Sequence, residues 1–425
     1  MKKLFLLAAL FLVSVSLFPQ QVAEETFVIN VEIPVRVFNG NIFVEDLTID
    51  DFEVFEDGLL QKIEAVYLVK KRSIERREEK RRFSPETSRS FYLFFEVSEY
   101  TPKLGEAIEY FVDKVVAPGD TLIVITPMQT YRLRSKTFEV LSKDEIVNQL
   151  KKILRKDALV GSSEYRDTID DITRLAKSLA GSVMQARTQQ RATTDTAAAA
   201  EAAQVQTISL DRFTGAEYDT MPLDEQLTRY ADLLDKLENI RTVEQDKFLE
   251  FARLLKDKEG QKYVFMFYER EFIPKVDPRI LNEYMSIYQD RPDVIHNVTS
   301  LFDFYRREIS LDVTRVKQAY ADSSISIHFL FISKPAPHIA GVKMEERSED
   351  IYGPLREMAR ATGGFFDSSA NSASLFKKAL ESAENYYLLY YSPENYRRDG
   401  KFREIKVRVK GRDYKVSHRL GYLAS

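Results

Sequence analysis

A chain of 425 residues, 44% hydrophobic and 12% aromatic, is long enough for two domains and apolar enough to pack a core, which excludes a predominantly disordered protein. Its 62 Lys and Arg against 66 Asp and Glu leave a formal charge of -4, so the overall balance gives no ground for a nucleic-acid partner. The absence of cysteine excludes disulfides, a lipid-modified cysteine and thiolate metal sites together.

Met1-Lys2-Lys3 and the apolar run of about 15 residues behind them have the layout of a signal peptide and are short for a spanning helix. Residues 1–23 are therefore expected to direct export, with cleavage near Ala23; Gln21 fits the small-residue rule poorly and leaves the cleavage position open. A buried strand or an uncleaved anchor is the competing reading. No later stretch is apolar enough to span a bilayer, and an exported chain without cysteine suits a periplasm or the cell exterior.

From Thr26 to Val69 short alternating runs are separated by the turn signals Asn39-Gly40-Asn41 and Asp57-Gly58. Residues 24–70 read as part of a small antiparallel β domain that must borrow strands from elsewhere, being too short to close a core. Lys70 to Arg82 mixes both charge signs with almost nothing apolar, which predicts a solvated linker over 71–88 rather than a polyanion site.

Arg89 to Ser98, RSFYLFFEVS, reads as a strand buried on both faces. Leu104, Ile108, Phe111 and Val115 follow at helical spacing, and Ala117-Pro118-Gly119-Asp120 leads into a second apolar strand, TLIVITPM. Strand, helix, strand predicts an α/β fold with a doubly wound, mostly parallel sheet, whose carboxyl edge would carry Glu96, Ser98 and Tyr100. Thr130–Ser135 reads as an edge strand, and Asp144–Lys156 as an amphipathic helix with Ile146, Leu150 and Ile153 on one face.

Residues 161–240 look like a helical insertion. Ile169, Ile172, Leu175, Leu179 and Val183 mark one helix and Leu227, Tyr230, Leu234 and Leu237 another, joined by a low-complexity link; the hairpin is either decoration or a partner-recognition element. The alternation then resumes with strands at Tyr263–Glu269 and Ser324–Ser333, helices over Pro278–Gln289 and Val294–Asp322, a helix stop at Gly363-Gly364, and a last parallel strand at Asn385–Ser392. About six strands over 89–393 result. The tail 394–425 alternates without a helix and is expected to complete the β domain begun at 24–70, the sheet domain being inserted between them.

LTIDDFEVFEDGLLQKI, FFEVSEY, ATGGFFDSS and YYLLYYSPENYRRDGKFREIKVRVKGRDYKVSHRLGYLA together resemble the von Willebrand factor A (VWFA, or VWA) superfamily, more narrowly the VWFA-related proteins of the Acidobacteria-type exported family. The resemblance runs over nearly the whole chain after residue 23. It implies a six-stranded, Rossmann-like VWA sheet and an extracytoplasmic, non-enzymatic interaction protein with a protein partner. The family's metal-ion-dependent adhesion site is an Asp-x-Ser-x-Ser loop completed by a Thr and a later Asp. Here those places read Glu96, Ser98 and Tyr100, with Thr242 for the Thr and Glu269 for the last Asp.

Mg²⁺ requires small oxygen ligands at about 2.1 Å in octahedral array, and a longer glutamate and a tyrosine ring degrade that geometry. Two readings stand open: Mg²⁺ or Ca²⁺ held by Glu96, Ser98 and Glu269, or a degenerate site that binds a partner without metal. Glu96 and Glu269 face to face without metal would raise one of the two pKa values and invite an acid/base role, but no recognisable nucleophile accompanies them. His296, His328, His338 and His418 lack metal-ligand spacing. Docking of a protein partner on the carboxyl edge is thus the expected function. A structural cell-envelope assembly component is the alternative, and a metal-dependent hydrolase the remaining one.

Overall fold

The computed structural model describes residues 29–133, 135–192, 218–304, 311–339, 342–394 and 396–425. The expected signal segment, and the low-complexity link from residue 193 onward, lie outside them. Among the described residues no helix is long and apolar enough to cross a membrane.

The chain opens with β1 (Val31–Asn39) and β2 (Ile42–Phe43), then β3 (Phe52–Glu56) and β4 (Leu59–Gln61), β5 (Ile63–Lys70) and β6 (Ser73–Glu79). The β3–β4 turn places Asp57 at φ 48° and Gly58 at φ 83°, the paired positive values that a two-residue hairpin turn demands. Next come β7 (Arg89–Glu96), α1 (Pro102–Tyr110), β8 (Thr121–Ile125), β9 (Thr130–Leu133), α2 (Ser135–Val140), α3 (Lys143–Gly161), α4 (Ser163–Ala192), α5 (Leu223–Arg241) and α6 (Gln245–Lys256). β10 (Gln261–Glu269) and β11 (Phe272–Val276) lead into α7 (Pro278–Ile287), α8 (Pro292–Phe304) and α9 (Val313–Asp322). The chain closes with β12 (Ile325–Ile332), β13 (Val342–Glu346), α10 (Glu349–Ala361), β14 (Phe366–Ser369), α11 (Ser372–Glu384), β15 (Asn385–Tyr391), β16 (Phe402–Val409), β17 (Lys415–His418) and β18 (Gly421–Leu423).

Four sheets result. One is mixed, in the order β14-β12-β10-β7-β8-β9, and the other three are antiparallel: β17-β1-β15-β5-β6 with β2 on β1, β18-β16-β3-β4, and the pair β11-β13. Among the described residues parallel pairing occurs only at β7–β8, β7–β10, β10–β12 and β12–β14. Every other pairing is antiparallel.

This distribution corrects the expected fold class. The chain is not one doubly wound, mostly parallel VWA-like sheet with a small β appendage; it is a mixed structure, mostly antiparallel, with one sheet curled as a half-barrel. The clearest difference is β15, expected as the last parallel strand, which runs antiparallel between β1 and β5. Its apolar run is continuous because both its faces are covered: Tyr387, Leu389 and Tyr391 enter one core while Tyr386, Leu388 and Tyr390 enter another. A continuous run reports burial on two faces, not which sheet receives it.

Two further differences follow from charge and shortness. The run expected as a solvated linker forms β6, an edge strand whose residues alternate between half-buried and exposed against β5. A charged edge is compatible with pairing on one side while blocking it on the other. The β11–β13 pair, five residues each, lacks any length of alternation and is not anticipated from the sequence.

Both chain ends share the antiparallel sheets: β17 pairs with β1, and β16 with β3. The mixed sheet is covered on one face by α1, α3 and α11, with Phe91, Leu93 and Phe95 against Leu104, Ile108, Leu150 and Phe376. On its other face Tyr92, Val264 and Phe329 meet Leu249, Leu255, Val316 and Leu355 from α6, α9 and α10. The helices of the insertion pack on α7 and α8 through Leu175, Leu179, Tyr230, Leu234, Tyr284 and Val298.

Candidate functional site

β7 and β10 run parallel at the centre of the mixed sheet, with Glu96 opposite Tyr268 in register. Their carboxyl ends therefore emerge side by side, and the segment after β7 turns into α1 through Thr101, whose hydroxyl caps the helix by accepting from the Leu104 amide. This arrangement brings Ser98 onto Glu269. The Ser98 hydroxyl donates to Glu269 Oε2 at 2.8 Å, and the Glu99 amide donates to Oε1 at 3.3 Å. Lys334, just past the end of β12, completes the set with its Nζ 2.8 Å from Oε2. Glu269 is only 8% exposed, so its charge is matched by an ammonium and two neutral donors rather than by water.

The start of α4 is tied to the same point. Ser162 Oγ donates to the Ser98 carbonyl at 3.1 Å, and Arg166 Nη1 donates to that carbonyl at 2.9 Å and to the Ser162 hydroxyl at 2.9 Å. Tyr165, Arg166, Ile169 and Asp170 of α4, with Ile240 and Arg241 of α5, wall a cavity of about 1310 Å³ that reaches from this edge under the sheet. α4 and α5 thus build part of the site.

The other sequence-derived candidates lie apart. Side chains alternate along a strand, so Glu96 shares a face with Tyr92, Phe94 and Tyr268, while Glu269 follows Phe265 and Phe267 on the opposite face. Glu96 opens into the cavity; water reaches it, but protein walls crowd it, and burial raises its carboxyl pKa. It has no hydrogen bond or ion pair among the described residues. The like-charge pairing of Glu96 with Glu269, and the acid/base chemistry it would supply, is not built. Tyr268 beside Glu96 has its phenol pushed well above the ordinary range, chiefly by burial, with Glu271 and then Glu96 adding to it.

Tyr100 turns away onto α1: its ring lies 5.0 Å from the Arg155 guanidinium, and its hydroxyl occupies the space a side chain at Gly105 would need. Thr242 stands on the cavity wall with its hydroxyl donated to the Glu238 carbonyl at 3.0 Å. The residues proposed to hold Mg²⁺ or Ca²⁺ do not fit one. Glu96 and Glu269 diverge, the Ser98 hydroxyl is committed as a donor, and the Lys334 ammonium stands where a cation would neutralise Glu269. Among the described residues no group of three or more His, Asp or Glu side chains is placed to hold a metal ion.

His328 is a core residue. It stacks on Phe265 at 4.5 Å, contacts the Ser326 hydroxyl through Nε2 and accepts from the Phe365 amide at Nδ1, and burial holds its pKa far below the usual value.

Lys334, Ser162, Arg166 and Tyr165 are site residues that sequence reasoning misses. Lys334 alone leaves a signal, since it follows directly on the strand ending at Ser333 and so falls on the same carboxyl edge as Ser98. A comparison of the chain with protein-family models gives no match, and a comparison with curated proteins gives none either.

Proposed function

We propose that the chain is an exported, non-enzymatic binding module that docks a protein partner on the carboxyl edge of β7 and β10. The observation that carries this reading is an apolar rim at the cavity mouth: Met128, Leu159 and Val160 are 46%, 60% and 46% exposed. Pro127 and Gly161 connect them to the cavity lining, since a side chain at Gly161 would lie 2.7 Å from Pro127 Cβ and 3.2 Å from Met128 Cγ. Apolar surface grouped beside a polar, hydrogen-bonded edge is the composition of a protein interface, with a dry centre and a polar surround. Ser98, Glu269, Lys334 and Arg166 hold the edge in one shape and so lower the ordering cost of docking.

The test is cross-linked recovery of partners from envelope extracts by the wild-type protein and by Leu159→Asp/Val160→Asp. Loss of a specific partner in the variant supports the reading; equal recovery contradicts it.

Ile42, Leu59 and Leu60 favour a second reading, that of an envelope assembly component. They are 76%, 62% and 64% exposed on edge strands of the antiparallel sheets and are not part of the cavity lining. Leu59→Asp/Leu60→Asp would abolish recovery under that reading and leave it unchanged under the first.

A further inference from the structure

We propose that the cavity behind the carboxyl edge binds an organic ammonium ion with an apolar body, with Glu96 as its counter-ion. The site extends the docking reading inward from the same edge.

The cavity, about 1310 Å³, is more than large enough for a small organic ligand and presents Tyr92, Phe94, Phe248, Phe251, Met266 and Tyr268. Aromatic faces attract cations through their quadrupoles, and more strongly where water is sparse. The charges in the lining set the sign of the ligand. Each cation there already has an anion or acceptor: Lys334 has Glu269, Arg241 has Glu271, Arg270 has Glu346 and Lys247 has Glu244. Lys258 donates to the Tyr92 hydroxyl at 2.9 Å and lies over its ring, and Arg166 serves the Ser98 carbonyl. Among the described residues four of the six lining cations are thus neutralised by carboxylates, while Lys258 and Arg166 are held by neutral acceptors.

Glu96 is the reverse case. Its carboxyl opens into the cavity, where water reaches it, on the face that carries Tyr92, Phe94 and Tyr268, and it has no hydrogen bond or cation among the described residues. Its place at the end of the central strand fixes it against the rigid part of the sheet, where a counter-ion is preorganised. An ammonium with an aromatic or cage-like hydrocarbon body satisfies the acid and the rings together, and a neutral analogue satisfies only the rings.

The test is calorimetric titration of the full chain with 2-phenylethylammonium and 1-adamantylammonium, alongside the neutral 2-phenylethanol and the anion 3-phenylpropanoate. The ammonium ions are expected to bind at least about tenfold more tightly than the alcohol, and the carboxylate not at all, since one lost charge pair in a confined site is worth at least this much. Glu96→Gln is expected to reduce ammonium binding about tenfold, while Glu96→Asp keeps part of it and Glu106→Gln, on the exposed face of α1, keeps all of it. Circular dichroism melting of each variant separates loss of the site from loss of the fold; if Glu96→Gln does not fold, Glu96→Asp against Glu106→Gln carries the comparison. Equal affinity for the alcohol, full affinity in Glu96→Gln, or no heat with either ammonium would overturn the proposal. The readout is independent of partner recovery by the rim variants, so each reading can fail while the other stands.

Discussion

Ser98 and Glu269, 171 residues apart in the chain, are joined by a 2.8 Å hydrogen bond from the serine hydroxyl to the glutamate carboxylate. With the Lys334 ammonium on the same oxygen, this bond closes three strand ends into one surface. Replacing Lys334 with Met leaves a largely buried carboxylate with only neutral donors. A loss of about 1–2 kcal/mol in urea unfolding is expected, at the low end for a buried charge because Lys334 is partly exposed. Adding Glu269→Gln should restore part of it, and a double variant no better than the single one would show that the two do not interact.

Glu96 is expected to behave oppositely. Its folded-state pKa lies above the ordinary 4.5, so the folded protein holds the proton more tightly than the unfolded chain. The stability this group supplies is complete below that value and is lost as pH rises through the raised folded pKa. Glu96→Gln cannot ionise, so it should melt with the wild type near about pH 4 and above it near about pH 8. A variant that melts lower than wild type at the higher pH would mean that Glu96 has a cationic partner.

At the other end of β7, Arg89 and Asp120 form an almost fully buried ion pair at 2.6 Å, with Asp120 also accepting from the Ala117 amide at 2.8 Å. Asp120→Ala strands the guanidinium inside the protein and should cost about 3–5 kcal/mol by chemical denaturation. Arg89→Met with Asp120→Leu should recover much of that loss, since it removes both charges from a site that water does not reach.

The closing strand offers a packing test. Gly421 lies opposite Glu404 where β18 meets β16, and a methyl group there would run into the Arg403 carbonyl and the Phe402 ring. Gly421→Ala should lower the urea midpoint by the equivalent of about 1–3 kcal/mol. Gly353→Ala in α10, where an added methyl meets nothing, should be neutral or slightly stabilising.

Much of the local structure was legible, because local signals carry it. The aromatic run of β7, the amphipathic spacing of α3 and the Asp57-Gly58 turn each state their geometry within a few residues. What the sequence withheld is set by distant partners. β15 carries the same apolar run whether its neighbours are parallel or antiparallel, and β6 hides its pairing behind seven mostly charged residues. At the site, Ser98 and Glu269 share an edge because their strands are neighbours, a relation that spacing can suggest. That Glu96 and Glu269 point to opposite faces follows from register, and the roles of Lys334 and Arg166 follow from where β12 and the insertion dock. Neither is written in local periodicity.

The most direct test of docking at the carboxyl edge is site-specific photo-cross-linking. p-Benzoylphenylalanine would be placed singly at Met128, Leu159, Ile42 and Leu59, and the protein irradiated in intact envelopes. A discrete adduct of one partner from positions 128 and 159, absent from 42 and 59, is the expected result. Adducts from 42 and 59 alone would contradict it and move the interface to the antiparallel sheets.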